Sequence, residues 1–381
     1  MKYYIIAGER SGDLHGANLI KALKKEAETT GDTQINVRCW GGDEMQKAGG
    51  ELVVHYREMA FMGFWEVFTN LSTIRKFIKQ CEKDILEFQP DVLILIDYAG
   101  FNMRMARFAK KHNILTYYYI SPKLWAWNQG RAKKIKANVD KMFVILPFEK
   151  DFYRKFDYKV EYVGNPLLDA IRDFQPQKDF RQQYGLDERP VIAVLPGSRK
   201  QEVSNMLKTM LALSPLFPAY QFAVAAVNNL PDAMYDVAMQ RENVQVIEGK
   251  TYDILHQAHA AVVTSGTATL ETALFEVPQL ICYKTSLISY QIAKSLIKVP
   301  YIGLVNLIAD EEIVPELIQS DFNTNRLQRE LRKIVADTPE RKAQLNAYQR
   351  IKKILGNERA SEKAARLMVK SLKEREATAV K

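Results

Sequence analysis

Short runs of β-branched and aromatic residues alternate along the chain with longer stretches whose apolar positions recur every three or four residues. The strand-like runs form two series. The first comprises Lys2–Ala7, Ile35–Trp40, Asp91–Ile96, Ile114–Ile120, Lys141–Leu146 and Val160–Val163. The second comprises Val191–Leu195, Tyr220–Ala226, Val244–Ile247, Ala260–Thr264 and Gln279–Tyr283. Helical periodicity fills the gaps, as in Gly12–Glu28, Phe64–Phe88 and Lys200–Leu216. Regular strand–helix alternation predicts parallel sheets with helices on both faces. The series runs twice, with a polar, proline-bearing joint at Asn165–Gln177. The expected architecture is therefore α/β, with two doubly wound Rossmann-like domains (1–168 and 169–338) facing a cleft. Beyond about Asn323 the pattern is helical only, and 339–381 are read as C-terminal helices that can cross back to the first domain.

At 381 residues the chain is long for a single core, which agrees with two domains. A content of 47% hydrophobic and 26% charged residues, without low-complexity tracts, excludes a disordered or fibrous chain. The apolar stretch Met210–Val227 is broken by Ser214, Pro215, Pro218, Tyr220 and Gln221, so it predicts no membrane-spanning helix. A strand-like start at Tyr3-Tyr4-Ile5-Ile6 is unlike a signal peptide. Three widely spaced cysteines, Cys39, Cys81 and Cys282, suit reduced thiols in a cytosolic protein.

Net charge is +9, and residues 339–381 alone carry 12 Lys and Arg against 5 Glu. Such a tail suits an anionic membrane surface or a phosphorylated ligand, or equally a pair of solvated helices with interspersed charges. No nucleic-acid motif accompanies the charge, so nucleic acid is not an expected partner.

Doubly wound domains bind ligands at the carboxyl ends of their strands, so the turns there carry the chemistry. After Val191–Leu195 come Pro196-Gly197-Ser198-Arg199 and a helix with Glu202 in its first turn. Gly197 permits close backbone approach, and Arg199 offers a forked cation for phosphate. After Ala260–Thr264 come Ser265-Gly266-Thr267 and a helix carrying Glu271. Hydroxyls, a glycine and free helix N–H groups there suit a diphosphate, with Glu271 placed to accept from ribose hydroxyls. Each turn can also be a simple cap.

In the first half, Gly8-Glu9-Arg10-Ser11-Gly12-Asp13-Leu14-His15-Gly16 spaces glycines by four, unlike the dinucleotide fingerprint. It is expected to be a loop with open N–H groups for a phosphate of a second substrate. The apolar run Asp91–Ile96 ends in Asp97, where desolvation would raise a carboxyl toward a usable base; the alternative is a helix cap near Phe101. Glu9 and Asp13 are the next candidates for that base. His256 and His259 lack a third ligand, and no Asp-x-Asp triplet occurs, so no metal and no cofactor are expected. Positive charge on a diphosphate then comes from Arg199 and a helix dipole.

Two segments are unusually apolar. Phe61-Met62-Gly63-Phe64-Trp65-Glu66-Val67-Phe68 leads into a helix bearing Leu71, Ile74, Phe77 and Ile78, flanked by Arg75, Lys76, Lys79 and Lys83. Met62, Phe64, Trp65 and Phe68 are candidates for lipid contact, with core packing as the alternative. Past another strand end lie Ser121, Trp125 and Trp127, which can line an apolar acceptor channel or pack between domains.

Together these motifs resemble the lipid-A-disaccharide synthase family of GT-B glycosyltransferases. The matching residues are Ala7-Gly8-Glu9-x-Ser11-Gly12-Asp13, Met62-Gly63-Phe64-x-Glu66-Val67, Ile96-Asp97, Phe101-Asn102, Ser121-Pro122-x-x-Trp125-Ala126-Trp127, Leu146-Pro147-Phe148-Glu149, Leu195-Pro196-Gly197-Ser198-Arg199 and Ser265-Gly266-Thr267-Ala268-x-Leu270-Glu271. The resemblance implies a metal-independent enzyme joining UDP-2,3-diacylglucosamine to 2,3-diacylglucosamine 1-phosphate at the cytoplasmic face of the inner membrane of Gram-negative bacteria. Asp97 matches a family acid, Arg199 the arginine after Pro-Gly-Ser, and Asn306 a family asparagine.

The implied donor-binding set is Gly197, Ser198, Arg199, Glu202, Ser265, Gly266, Thr267, Glu271, Tyr283, Asn306 and Glu316; the acceptor-binding set is Gly8, Glu9, Ser11, Gly12, Ser121 and Trp125. Ala99-Gly100 stand where the family has Pro-Asp, Val305 replaces the proline beside Asn306, and Lys284 stands where an arginine is common. The rival readings are a sugar-nucleotide epimerase of the UDP-GlcNAc 2-epimerase kind and a non-enzymatic nucleotide-binding or membrane-adaptor protein.

Overall fold

In a computed structural model that describes residues 1–29, 31, 34–59 and 71–379, the chain divides into two compact units. Unit 1 is Met1–Pro166 with Asn357–Lys381, and unit 2 is Leu167–Gly356. The sheet of unit 1 contains β1 (Lys2–Ala7), β2 (Asn36–Gly41), β3 (Glu51–His55), β4 (Val92–Ile96), β5 (Thr116–Tyr119), β6 (Lys141–Val144) and β7 (Glu161–Tyr162). They lie in the order β3-β2-β1-β4-β5-β6-β7, and all pairs are parallel. The central strand β4, Val-Leu-Ile-Leu-Ile, is buried at every position, as an unbroken apolar run requires when helices cover both faces. The strand β3 escapes the sequence pattern because it is a short edge strand with Glu51 and His55 at its ends.

Strand order reverses between β1 and β4, whose last residues Ala7 and Ile96 are paired. The connections leaving these two strands diverge, and in doubly wound sheets that reversal point is where ligands bind. The glycine-spaced segment that follows β1 is not the loop its composition suggests. Helix Arg10–Thr29 begins within it, and Gly12 and Gly16 are buried. A methyl on Gly12 would meet Ala7 Cβ at 3.1 Å, and one on Gly16 would meet Met45 Sδ at 2.6 Å. These glycines seat the helix tightly on its neighbours.

Unit 2 repeats the plan with β8 (Val191–Leu195), β9 (Gln221–Ala226), β10 (Val244–Glu248), β11 (Ala258–Thr264), β12 (Gln279–Tyr283) and β13 (Glu316–Ile318). The order is β10-β9-β8-β11-β12-β13, again all parallel, with the reversal between β8 and β11 and Leu195 paired with Val263. The three-residue edge strand β13 has no sequence signature of its own. Helix Lys200–Leu211 stops short of the expected Leu216, giving way to a 3-10 turn at Ser214–Leu216 whose Pro215 lacks the N–H an α-helix needs.

The C-terminal helices part company. Pro339–Leu355 belongs to unit 2 and ends at Gly356, while Ala360–Ala379 packs along helix Arg10–Thr29 of unit 1. Solvated helices are not what the structure shows. Ala364, Ala365, Met368, Val369 and Leu372 are part of the same core as Ile5, Leu19 and Ile20. Tyr117 and Ser371 share a buried hydrogen bond of 2.7 Å across this packing.

Candidate functional site

The turn leaving β4 is built under backbone strain. Asp97 and Tyr98 have φ of +43° and +48°, a left-handed conformation that non-glycine residues adopt at a cost of about 1–3 kcal/mol each. Neighbouring groups hold it there. The Asn102 side-chain amide donates to the carbonyls of Ile96 at 3.1 Å and Asp97 at 2.8 Å, and the Tyr118 hydroxyl also donates to Asp97 O. Gly8, at the end of β1, lies under the Tyr98 ring, where a Cβ would come within 2.2 Å of a ring carbon. The two turns of the reversal point are thus interlocked.

The Asp97 carboxyl is half-buried, and its pKa rises to about 6. Burial is the largest cause and the charge of Glu9 adds to it, while Lys123 and the Tyr98 N–H partly offset both. The helix that follows, Ala99–Lys111, has no side-chain capping bond at its N-cap Tyr98, so the cap alternative for Asp97 has no support in the geometry. Asp13 is removed from the candidate bases. It is buried, and its carboxylate accepts from the N–H groups of Gly42 at 2.8 Å, Glu44 at 3.1 Å and Met45 at 3.0 Å. Glu9 and Ser11 are exposed beside Asp97's turn, at the start of helix Arg10–Thr29, whose first-turn N–H groups replace the expected open loop.

Beyond β5 and β6 a buried polar cluster ties two further turns together. Ser121 shares a hydrogen bond of 2.6 Å with the Tyr153 hydroxyl. Trp125 Nε1 donates to Glu149 at 3.2 Å, and the other oxygen of Glu149 accepts from the N–H groups of Ile145 and Leu146. Burial pushes the Glu149 carboxyl up to about 7 against these hydrogen bonds. Ser121 and Trp125 are both buried, whereas Trp127 is exposed with the Arg131 guanidinium over its ring. Sequence reasoning gave Glu149 no role; its signal was the Leu-Pro-Phe-Glu run.

In unit 2 the turns after β8 and β11 stand side by side, because these strands flank the second reversal. Gly197 adopts φ +110°, and a Cβ there would meet Glu202 at 2.5 Å. The Glu202 carboxylate accepts from the N–H groups of Ser198 at 3.0 Å and Arg199 at 3.2 Å, closing a capping box over helix Lys200–Leu211. Glu202 therefore shapes the turn from inside. Arg199 is paired with Glu202 at 3.4 Å, and its side chain is 83% exposed.

Across from it, Ser265 donates to Ile302 O at 2.7 Å and Thr267 is exposed at the start of helix Ala268–Leu274. Glu271 accepts from the Tyr252 hydroxyl at 3.0 Å, and burial raises its pKa. The buried Thr264 hydroxyl, at the last position of β11, has no partner among the described residues. Tyr283, at the end of β12, is half-buried.

Asn306 and Glu316 form a support rather than an open contact surface. Fully buried Asn306 brackets Val314, accepting its N–H and donating to its carbonyl, and also donates to Glu316 at 2.9 Å. Glu316 accepts from the N–H groups of Ile302 and Gly303, and burial is the main cause of its raised pKa. The pair anchors the strand of chain whose Ile302 carbonyl receives Ser265.

Met62, Phe64, Trp65 and Phe68 lie outside the described residues. Further along the same segment, Ile74, Cys81 and Ile85 of helix Leu71–Phe88 are buried, and Phe77 packs edge-on against Trp40. Among the described residues no cluster of three or more His, Cys, Asp or Glu could hold a metal ion, and no helix is long and apolar enough to cross a membrane. His259 is engaged with the Val335 carbonyl at 2.8 Å.

Solved structures with this arrangement include the UDP-GlcNAc 2-epimerase from Neisseria meningitidis bound to UDP-GlcNAc. It matches with a TM-score of 0.66 at 16% identity, over 98% of this chain and 100% of that one. The glycotransferase of kitacinnamycin matches with a TM-score of 0.67 at 14% identity, over 97% and 99%. At such identities the likeness is one of fold, and it places the protein in the class with two Rossmann-like domains shared by GT-B glycosyltransferases and these epimerases. Sequence decides within that class. A family model described as lipid-A-disaccharide synthetase matches residues 3–370.

The lipid-A-disaccharide synthase of Syntrophus aciditrophicus (strain SB) is 40% identical over 369 residues, covering 95% of each chain. That of Geobacter sulfurreducens (strain ATCC 51573 / DSM 12127 / PCA) is 36% identical over 375 residues, covering 97% of this chain and 96% of its own. The chain belongs to the lipid-A-disaccharide synthase family and is a glycosyltransferase; its likeness to the epimerases extends to fold alone.

Proposed function

We propose that this enzyme joins UDP-2,3-diacylglucosamine to 2,3-diacylglucosamine 1-phosphate (lipid X) with inversion, giving the β-1,6-linked disaccharide 1-phosphate and UDP. The observation that carries the reading is Asp97, an acid held at a strained reversal-point turn with a pKa of about 6. That value leaves it ionised at neutral pH yet basic enough to take a proton in the transition state. The acceptor 6′-hydroxyl gives its proton to Asp97 as its oxygen attacks the anomeric carbon of the donor sugar. The bond from that carbon to the diphosphate oxygen breaks, and the electron pair leaves with UDP. Arg199 and the N–H groups at the Ser265-Gly266-Thr267 turn stabilise the departing charge. Ser121 and Trp125 sit at the acceptor end, in the turns beside Asp97's strand.

An acylated donor and acceptor require work at a lipid surface, which we assign to the cytoplasmic face of the inner membrane. The segment containing Met62, Phe64, Trp65 and Phe68 is offered as one contact. Thin-layer chromatography of purified protein incubated with both substrates tests the reaction. A disaccharide 1-phosphate formed only when both are present, and still formed in excess chelator, is the expected result. Conversion of the sugar nucleotide alone, or no product at all, would overturn it.

A further inference from the structure

Glu149 is an acid that the transfer step leaves unused, and it is 1% exposed at the start of helix Glu149–Arg154. Two of its hydrogen bonds are local. One carboxylate oxygen accepts from the N–H groups of Ile145 at 3.2 Å and Leu146 at 3.0 Å, which shapes the turn after β6. A glutamine carbonyl would serve that turn equally well. The other oxygen accepts from Trp125 Nε1, 24 residues away in the chain, and only a carboxylate has a second acceptor to offer there. Burying a charge is costly, so the bond to Trp125 is what calls for an acid at this position.

Trp125 belongs to the turn after β5. That turn leaves the sheet beside Asp97, because Tyr119 pairs with Ile96 and its carbonyl accepts from the Asp97 N–H at 3.2 Å. It starts under strain, with the β-branched Ile120 at φ +67°. Its helical part, Leu124–Trp127, is a single turn without a side-chain cap, too short to be stable by itself. Two buried side-chain hydrogen bonds tie it to the rest of unit 1, Ser121 with Tyr153 and Trp125 with Glu149. The Trp125 ring also packs edge-on against Phe148 at 5.0 Å. Between these anchors Lys123 is exposed, and its charge acts on Asp97.

We propose that Glu149 is a positioning residue for the acceptor: by holding the Trp125 indole it fixes the turn Ser121–Trp127 where the acceptor hydroxyl must meet Asp97. This role rests on Asp97 being the base and on this turn being the acceptor end, as proposed above. Glu149 itself does not touch the reacting atoms. Releasing the indole frees the turn and leaves the base and the donor turns of unit 2 in place, so the loss falls on the acceptor.

The test is initial-rate kinetics with each substrate varied in turn, on the parent, Glu149→Gln, Trp125→Phe and the double variant. Thermal melts and UDP titrations accompany it. In Glu149→Gln the side-chain carbonyl keeps the Ile145 and Leu146 bonds, while its amide meets the indole N–H donor to donor. Acceptor KM is expected to rise and acceptor kcat/KM to fall roughly 10–100-fold, with donor KM and UDP affinity within about two-fold of the parent. Trp125→Phe keeps an aromatic ring beside Phe148 and removes the N–H, so it should show the same acceptor defect, and the double variant no greater one. A role in stability alone would lower the folded fraction, and with it kcat, and leave acceptor KM as it was. Unchanged acceptor KM in Glu149→Gln, or additive losses in the double variant, overturns the proposal. If Glu149→Gln does not fold, Trp125→Phe decides, and a parent-like acceptor KM there overturns the proposal equally. A parent that forms no disaccharide overturns the reaction and this role with it; an active parent with parent-like variants overturns the role of Glu149 alone.

Discussion

Asp97 is raised to about 6 because ionising it means charging a half-buried carboxyl beside Glu9, with Lys123 as partial compensation. The activity consequence has a definite sign. The base form fills as pH rises through about 6, so kcat/KM should climb through that value on its acidic limb. Asp97→Asn should lose the limb and roughly 10²–10⁴-fold in turnover while still binding UDP. Glu9→Gln removes the like charge and should move the limb to lower pH. Pre-steady-state and pH–rate measurements on the two variants check this; a limb that stays put in Glu9→Gln would show that Glu9 is not electrostatically coupled.

Stability runs the other way. A folded pKa above the unfolded 3.8 means stability is complete below that value and falls as pH rises toward about 6. Asp97→Asn should therefore gain stability relative to the parent at pH 8 and not at pH 3. In the other unit, Arg199 has no strong partner to lose, so Arg199→Ala should fold normally and cost about 2–4 kcal/mol of transition-state stabilisation. Parent-like turnover would remove it from the mechanism.

At the scale of elements, the turns proposed to carry the chemistry are short linkers whose shape is set by the strand before and the helix after. Gly197 shows how closely they are fitted, since it combines a φ of +110° with contact against the Glu202 side chain that caps the next helix. Gly197→Ala would force a strained backbone and displace Glu202, at a cost of about 1–3 kcal/mol. UDP affinity should fall with it, because the Arg199 side chain is aimed by the same turn. Isothermal titration with UDP and a thermal melt together check the prediction; unchanged values in both would mean the turn relaxes freely. The same logic explains why the glycine run after β1 misled a reading from composition. Gly12 and Gly16 serve helix packing against Ala7 and Met45, and only Gly8 answers to the neighbouring turn.

For the whole molecule, the last helix is structural to the first unit. Met368, Val369 and Leu372 are buried with residues of β1 and helix Arg10–Thr29. Met368→Ala should therefore cost about 2–5 kcal/mol in chemical denaturation. A chain ending at Gly356 should expose that face of unit 1 and aggregate; a monodisperse, cooperatively melting truncation would show that unit 1 closes without it. The basic charge of the tail coexists with this role, because its lysines and arginines occupy the faces that the apolar row leaves free.

Periodicity in the sequence was enough to define two parallel α/β units, and the longer strands fall close to where the apolar runs place them. Edge strands β3 and β13 were illegible because strands of five and three residues, each opening on a glutamate, carry no repeat to detect. The motif residues Asp97, Arg199 and Ser265 were visible because they are unusual residue types in short turns at strand ends. Their partners were not. That Asp13 is consumed by the N–H groups of Gly42, Glu44 and Met45, and that Glu149 joins Trp125 to another turn, depend on contacts between residues 24 to 32 positions apart. Which carboxyl is raised and which is neutralised by N–H groups are likewise properties of burial. Burial is decided when segments distant in sequence pack together, and local pattern does not encode it.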